Sequence, residues 1–332
     1  MRIGIIGAGK VGTTMGKYIV DHGGTVSGFY TRTASNGLES AQFTHTKYFT
    51  TLDSLIEGSD TLFIATTDRA IKDVWDCITT KNVKGKVICH FSGSLSSDVF
   101  SNWEETGAWV CSLHPIYTFS NKFTAYQNLT EAKFTVEGNS KALERLQELF
   151  CMLPNEVIQI STKEKEKYHA ATSIASNHVT GLIYLAVELL QEAGIKEQQA
   201  YHLLKPLVEK NVQAVFTQMD EEQEKKCDNY SQGKVYAGCA QTLTGPIERN
   251  DITTVNKHLQ KLDRPEWEAV YRAVGLQVSK VAQRKHPERS YQEMKHILAQ
   301  NMCPGRYYDE TNSSDDSKGE GTGRKTGNAD SL

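Results

Sequence analysis

The chain opens Met1-Arg2-Ile3-Gly4-Ile5-Ile6-Gly7-Ala8-Gly9-Lys10-Val11-Gly12. A short apolar run ends directly on Gly7-x-Gly9-x-x-Gly12, and 13–20 reads as a helix. This is the strand–turn–helix spacing of a dinucleotide-binding unit. Gly7 permits the tight turn, Gly9 lets the backbone approach phosphates with no Cβ in the way, and Gly12 lets the helix pack against the strand. The N-terminal amides of that helix then face an anion. Gly7, Ala8, Gly9, Lys10, Val11 and Gly12 are therefore the expected pyrophosphate cradle. A plain glycine-rich turn is the alternative, disfavoured because the motif follows directly on a β-branched strand.

Thr25-Val26-Ser27-Gly28-Phe29-Tyr30 reads as the second strand. The residue that meets the adenosine ribose belongs at its end, where an Asp or Glu selects NAD(H) by accepting from the 2′-hydroxyl. Here the chain reads Tyr30-Thr31-Arg32-Thr33-Ala34-Ser35-Asn36, with no acid. The guanidinium of Arg32 is a planar fork of donors suited to a phosphate. Thr31, Thr33 and Ser35 add short hydroxyl donors. The expected cofactor is NADP(H); the alternative leaves Arg32 as a solvated loop residue.

The chain has 332 residues and a formal net charge of −3. That length accommodates two domains with ordinary cores, and the near-balanced charge gives no footprint for nucleic acid or an acidic membrane. No uninterrupted apolar run approaches the ~20 residues needed to span a bilayer, and the N-terminus reads as a core strand, not a signal peptide. The seven cysteines (Cys77, Cys89, Cys111, Cys151, Cys227, Cys239, Cys303) form no C-x-x-C pair. Several sit in apolar runs, where a free thiol behaves as a small hydrophobe. The expectation is a reduced, cytoplasmic setting, with no metal site.

Further apolar runs at 60–65, 86–91, 108–113, 133–136 and 156–160 read as strands, with helices after about 70 and over 141–150. Strands alternating with helices predict an open, mostly parallel sheet over 1–160. The pattern then changes. The span 163–192 lacks proline and carries an apolar helical face through Ile174, Val179, Leu182, Leu185, Ala186 and Leu189, with Gly194 as its C-cap. Further helices are expected over 196–218, with Pro206 a kink or break, and over 251–261, 265–283 and 291–301. The second domain, 161–303, is thus expected to be all-helical and to carry a homodimer interface. The polar tail, 304–332, is expected to be disordered.

Ligands of open α/β sheets bind beyond the carboxyl ends of the strands. Thr66-Thr67-Asp68, Ser92-Gly93-Ser94 and His114-Pro115 all fall at such ends. Thr66 and Thr67 could line the nicotinamide ribose. Hydride transfer at a C–OH or C–N carbon needs a proton partner, and histidine titrates near working pH. His114 is the expected general acid/base, or else a turn anchor. Ser92 could orient the substrate oxygen or the His114 ring, or simply cap a helix starting near Ser96; Ser94 could contact substrate. His90, inside its strand, reads as a packed residue. On the helix that follows, Ser173 and Asn177 share a face, and Asn177 is the better substrate-binding candidate. Lys163, Lys165 and Lys167 read as a solvated helix start. In Leu243-Thr244-Gly245-Pro246-Ile247-Glu248-Arg249-Asn250-Asp251, capping by Thr244 or Asp251 is the leading reading. Arg249 could instead grip a substrate carboxylate.

Residues 1 to about 160 resemble the NADP-binding domain of pyrroline-5-carboxylate reductases, deazaflavin-dependent NADP reductases and prephenate dehydrogenases. Most of the chain resembles a group of Rossmann-like oxidoreductases with a C-terminal helical domain of unknown function. Four stretches carry that resemblance: Gly7 to Gly12, Ser112-Leu113-His114-Pro115, His169-Ala170-Ala171 through Ala175-Ser176-Asn177-His178, and Leu243-Thr244-Gly245-Pro246. The resemblance to prephenate dehydrogenases implies a catalytic role for His114 and a supporting one for Ser92 or Ser94. The substrate arginines of that family have no counterpart, so prephenate is not implied. The expected function is NADP-dependent hydride transfer to or from a small carbonyl, hydroxy-acid or imine substrate, the alternative being a non-catalytic NADP(H)-binding sensor or assembly protein.

Overall fold

The computed structural model describes residues 1–224 and 237–301; the expected disorder of the tail lies outside the described residues. The chain forms two compact units, Met1–Leu182 and Ile183–Leu332.

The first unit is built on eight strands: β1 (Arg2–Ile6), β2 (Thr25–Tyr30), β3 (Lys47–Tyr48), β4 (Thr61–Ile64), β5 (Val87–His90), β6 (Trp109–Ile116), β7 (Lys133–Gly138) and β8 (Val157–Gln159). They lie in the order β3-β2-β1-β4-β5-β6-β7-β8. The six strands from β3 to β6 run parallel. β7 runs antiparallel to β6, and β8 runs parallel to β7. The reversal has a simple cause. A parallel neighbour needs a helical crossover, whereas the link from β6 to β7 carries only a 3₁₀ segment, Ala125–Glu131.

Helices α1 (Lys10–Asp21), α2 (Ala34–Thr44), α3 (Leu52–Glu57), α4 (Asp68–Thr79), α5 (Trp103–Thr106) and α6 (Ser140–Phe150) complete the sheet connections. Side chains alternate between two cores. Ile3, Ile5, Phe29, Phe63, Cys89, Cys111 and Leu113 join one apolar cluster. Ile6, Leu62, Ile64, Ile88 and Val110 join the other, around Trp75. Burial on both faces explains why these strands read as continuous apolar runs. Each fully buried side chain of this size contributes about 1.5–3 kcal/mol.

The next helix, α7 (Lys165–Ser173), leads through a π-helical turn, Ile174–His178, into α8 (Val179–Glu192). The first unit therefore extends past the boundary expected near 160, because α7 is tied to the sheet: Lys165 Nζ donates to Ser112 Oγ at 2.8 Å, and Tyr168 bonds His114. The helical run Thr162–Glu192 is also long and apolar enough to cross a membrane by length and composition alone. This corrects the expectation that no segment reaches that length. The tethering of Lys165 and Tyr168 to the sheet accounts for its start without a membrane.

The second unit holds α9 (Glu197–Glu224), α10 (Ala237–Thr242), α11 (Ile252–Lys261), α12 (Pro265–Lys285) and α13 (Gln292–Ala299), and is all-helical among the described residues. Its core gathers Val255, Leu276, Tyr291, Met294 and Leu298. Gly194 takes φ +87° after α8, and Ile195 N donates to Leu190 O, the glycine-ended helix stop read from the sequence. Pro206 does not break its helix; α9 runs through it, so the loss of one backbone donor is tolerated there. Tyr184, Tyr201, Leu203, Leu207, Val212 and Phe216 are exposed, which gives α8 and α9 apolar surface with little cover in the single chain.

Candidate active site

The order β3-β2-β1-β4 reverses the chain's direction of travel between β1 and β4. The crevice at such a switch point is where nucleotides bind in this architecture. The loops after β1 and β4 meet there. Gly7 takes φ +111°, and a Cβ on it would lie 2.6 Å from Ala65 O. A Cβ on Gly12 would lie 2.3 Å from Gly7 O. Both glycines are therefore required by backbone packing. Gly9 differs: a Cβ there would meet nothing within 4 Å. Internal packing does not explain that glycine, but a ligand approaching its backbone would. Gly9 is also the N-cap of α1, which has no side-chain cap and no acid in its first turn. An uncapped, acid-free helix start attracts an anion, so the cradle fits the pyrophosphate of a dinucleotide. Ala8 is buried beneath it, Val11 is half-buried, and Lys10 is exposed at its edge.

Beyond β2, Arg32 and Thr33 are exposed and Thr31 is half-buried. Thr33 is the N-cap of α2 with its hydroxyl not engaged in capping. Arg32 lies one residue ahead of it, in the stretch that follows β2. Donors at the end of this strand suit a 2′-phosphate, and no acid in the first turn of α2 opposes one.

At the end of β4, Thr66 Oγ1 donates to Thr67 O at 3.3 Å, and Thr67 begins α4. Asp68 accepts from Ser94 Oγ at 2.7 Å, which links the ends of β4 and β5. Ser92 is buried, and its Oγ accepts from Leu95 N at 2.9 Å and Ser94 N at 3.2 Å. It therefore closes the turn and does not cap the following helical segment, Ser97–Val99, whose N-cap is Ser96; Ser94 Oγ lies 3.3 Å from Ser92 Oγ. His90 is packed, as its place in the strand suggested. Its Nδ1 accepts from Ser92 N at 3.1 Å, so Nε2 carries the proton and donates to Ser96 O at 3.2 Å.

His114 sits two residues after Ser112, on the same face of β6. Lys165 and Tyr168, three apart on α7, share a face that meets this strand. Tyr168 Oη lies 2.7 Å from His114 Nδ1. The ring of His169 stands edge-on to that of His114, with centroids 6.4 Å apart. Gly93 completes the contact: a Cβ there would lie 2.7 Å from His114 Nε2 and 2.8 Å from His169 Cδ2. Gly93 therefore packs its backbone close against the Nε2 edge of His114, where no side chain would fit.

The electrostatics revise one expectation. Burial, reinforced by the charge of Lys165, pushes His114 down to about 4 from its ordinary 6.5. Its ring is neutral at working pH, not poised to titrate there. Burial raises the Tyr168 phenol, opposed by a hydrogen bond from Thr135, which faces His114 across β7. With the phenol protonated and donating to Nδ1, the remaining ring proton sits on Nε2.

Lys165 corrects a second expectation. It is no part of a solvated helix start but is fully buried, while Lys163 and Lys167 are exposed. Burial lowers its proton affinity and the nearby Glu137 carboxylate raises it. Glu137 is itself buried and accepts from Ser97 N (2.9 Å), Ser97 Oγ (2.7 Å) and Thr162 Oγ1 (2.9 Å). Sequence reading passed over Lys165 and Tyr168 as members of this cluster; their shared helix face was the available signal.

The remaining candidates lie apart from these bonds. Asn177 is exposed within the π-helical turn. Arg249 is exposed in the second unit. Asp251 there caps α11, its carboxylate accepting from Thr254 N at 3.0 Å, as the capping reading held. Thr244 is exposed and does not cap a helix.

Residues 1–115 match the Rossmann-like domain family, and residues 132–278 match the Domain of unknown function (DUF2520) family. The chain thus joins a Rossmann-like domain to a DUF2520 domain. No curated protein matches it. Among solved structures, it is similar to protein TM1727 from Thermotoga maritima (20% identity, 86% of this chain and 100% of that one, TM-score 0.62). It is also similar to protein BF3122 from Bacteroides fragilis, described as a candidate NADP oxidoreductase (20%, 87% and 98%, 0.58). An imine reductase from Pseudomonas sp. aligns at 14% identity over 85% of this chain and 97% of its own, with a TM-score of 0.57. At such identities the likeness is one of fold.

Proposed function

We propose that the chain is an NADP(H)-dependent oxidoreductase acting on a small carbonyl, hydroxy-acid or imine substrate. One observation carries the reading: the sheet that ends in a dinucleotide cradle at β1 also carries, on β6 just beyond the end of β5, a neutral imidazole paired with a phenol. The names of the Bacteroides fragilis and Pseudomonas proteins support the same reaction class. Gly7, Gly9 and Gly12 would hold the pyrophosphate, Arg32 with Thr31 and Thr33 the 2′-phosphate, and Thr66 and Thr67 the nicotinamide ribose. Bound NADPH would supply the hydride.

The chain's own residues manage the proton. His114 Nε2–H donates to the substrate oxygen or nitrogen as negative charge develops there, and carries that charge by a hydrogen bond aimed where it appears. Transfer of the Nε2 proton completes the hydroxyl or amine, and the Tyr168 proton passes to Nδ1 in its place. In the oxidative direction the steps reverse. Ser92 holds the turn that carries Gly93, while Ser94 is oriented by Asp68 and faces solvent in part.

Asn177 and Arg249 are kept as substrate-binding candidates. The apolar faces of α8 and α9 are covered, in this reading, by a second copy of the chain; a solution mass of two chains is expected, and a monomer at micromolar concentration would contradict it. The free thiols Cys77, Cys89, Cys111, Cys151 and Cys239 fit a reducing, cytoplasmic setting. The direct test is consumption of NADPH with a panel of 2-oxo acids, ketones and cyclic imines. Turnover with some member supports the reading. Cofactor binding with no turnover on any would favour the non-catalytic alternative.

A further inference from the structure

We propose that Lys165 is a specificity-determining residue: its buried ammonium, fixed on Ser112 behind His114 and Tyr168, makes the site select neutral or anionic oxo compounds over protonated imines. The proposal rests on the oxidoreductase reading and narrows its substrate class.

The geometry is a two-by-two contact. Ser112 and His114 project from one face of β6, and Lys165 and Tyr168 from one face of α7. Lys165 Nζ lies 2.8 Å from Ser112 Oγ and 5.7 Å from the centroid of the Tyr168 ring. Tyr168 Oη in turn lies 2.7 Å from His114 Nδ1. No residue exposed to water needs such an anchor, and a lysine placed only for packing would be replaced there by an apolar side chain at lower desolvation cost.

The titratable groups around His114 come from four elements. Lys165 of α7, with His169 of the same helix beside it, disfavours added positive charge; Asp68 of α4 opposes it, and His90 of β5, held down to about 4, is neutral at working pH. The Asp68 carboxylate is already engaged by Ser94. Glu137 of β7 acts on Lys165, and its oxygens are taken up by Ser97 and Thr162. A ligand beside His114 therefore meets an environment in which Lys165 is the charge that acts most strongly on the ring, ahead of the opposing Asp68 carboxylate.

Two reactions make opposite demands on that field. Hydride addition to a carbonyl turns a neutral oxygen into an alkoxide, which a nearby ammonium stabilises. Hydride addition to a protonated imine begins with a cation and ends with a neutral amine, so the same ammonium raises the energy of the bound reactant. The structural likeness to an imine reductase does not decide between them; the charge of Lys165 does.

The test uses the full chain saturated with NADP+, with two binding probes read by calorimetry at pH 7.5. Oxamate represents a planar anionic oxo acid, and pyrrolidine, a cation at that pH, represents the protonated cyclic imine. The wild type is expected to bind oxamate at least about tenfold more tightly than pyrrolidine. Lys165→Met is expected to collapse that ratio, and Lys165→Arg to keep most of it. In Lys165→Met the His114 ring, followed by NMR, should also begin to take up its proton at higher pH. A purely packing role would not move either readout. If Lys165→Met does not fold, Ser112→Ala, which releases the ammonium from its anchor, is expected to lower the ratio in the same direction. Preference of the wild type for pyrrolidine, or a ratio unchanged in the variants, would overturn the proposal. Failure of every carbonyl and imine to turn over would overturn the oxidoreductase reading instead, and the binding ratio would still decide the role of Lys165.

Discussion

Replacing His114 with alanine is expected to lower NADPH-dependent turnover by about a hundred- to ten-thousand-fold, the usual contribution of a positioned proton donor, and to leave cofactor affinity intact. The two effects separate because the residues are separate. His114 lies within β6, in the part that runs beyond β5, whereas the cradle follows β1, and β4 and β5 lie between them in the sheet. The proposed donor edge of the imidazole is Nε2, beside Gly93, while Nδ1 is held by Tyr168. Tyr168→Phe should therefore show a loss of the same kind and of comparable size, because Nδ1 loses the proton that replaces the one given by Nε2. Turnover that survives His114→Ala would remove the imidazole from the mechanism. A parallel loss of NADPH binding would show that the variant had disturbed the fold.

The protein is expected to lose stability steeply as pH falls from about 6.5 to about 4. His90 and His114 are both held down to about 4, chiefly by burial. In the unfolded chain each takes up a proton near its ordinary 6.5, so between the two values the unfolded state binds more protons than the folded one. Stability then rises with pH across that window and falls as pH drops through it, levelling below 4. A shift of this size corresponds to roughly 3 kcal/mol for one group. The two histidines also repel each other, so their contributions are not independent. Denaturant midpoints measured from pH 7.5 to 4.5 should show the decline, and His90→Gln should flatten it. A midpoint constant over that range would contradict the account.

Much of the first unit is legible in the sequence because its physics is local. Gly12 is required by the backbone of its own turn and Gly7 by the loop after β4, at a spacing that the dinucleotide motif fixes in the sequence, and the apolar runs of β1 and β4 are apolar on both faces because both faces are covered. The reversal at β7 is not legible, since it depends on whether the link after β6 forms a crossover helix. Lys165 is missed for a related reason. In Lys163-Glu164-Lys165-Glu166-Lys167 the residues look equivalent, and only the position of Ser112 in the fold distinguishes the middle lysine from its solvated neighbours. Tyr168 is similarly ordinary until His114 lies beside it. His114 itself is visible from its place late in an apolar run, although the strand continues through it to Ile116; its charge state is not, because burial and Lys165 decide that together. At Pro206 a local rule predicts a kink or a break, and the break is absent: α9 runs through it.

The central claim, that this fold holds NADP(H) through its glycine turn and Arg32, is tested most directly by titrating the protein with NADPH and with NADH while following nicotinamide fluorescence. The account predicts tight binding of NADPH, NADH weaker by at least about tenfold, and loss of that preference in Arg32→Ala. Equal affinity for the two would remove Arg32 from the cofactor site, and binding of neither would contradict the account as a whole.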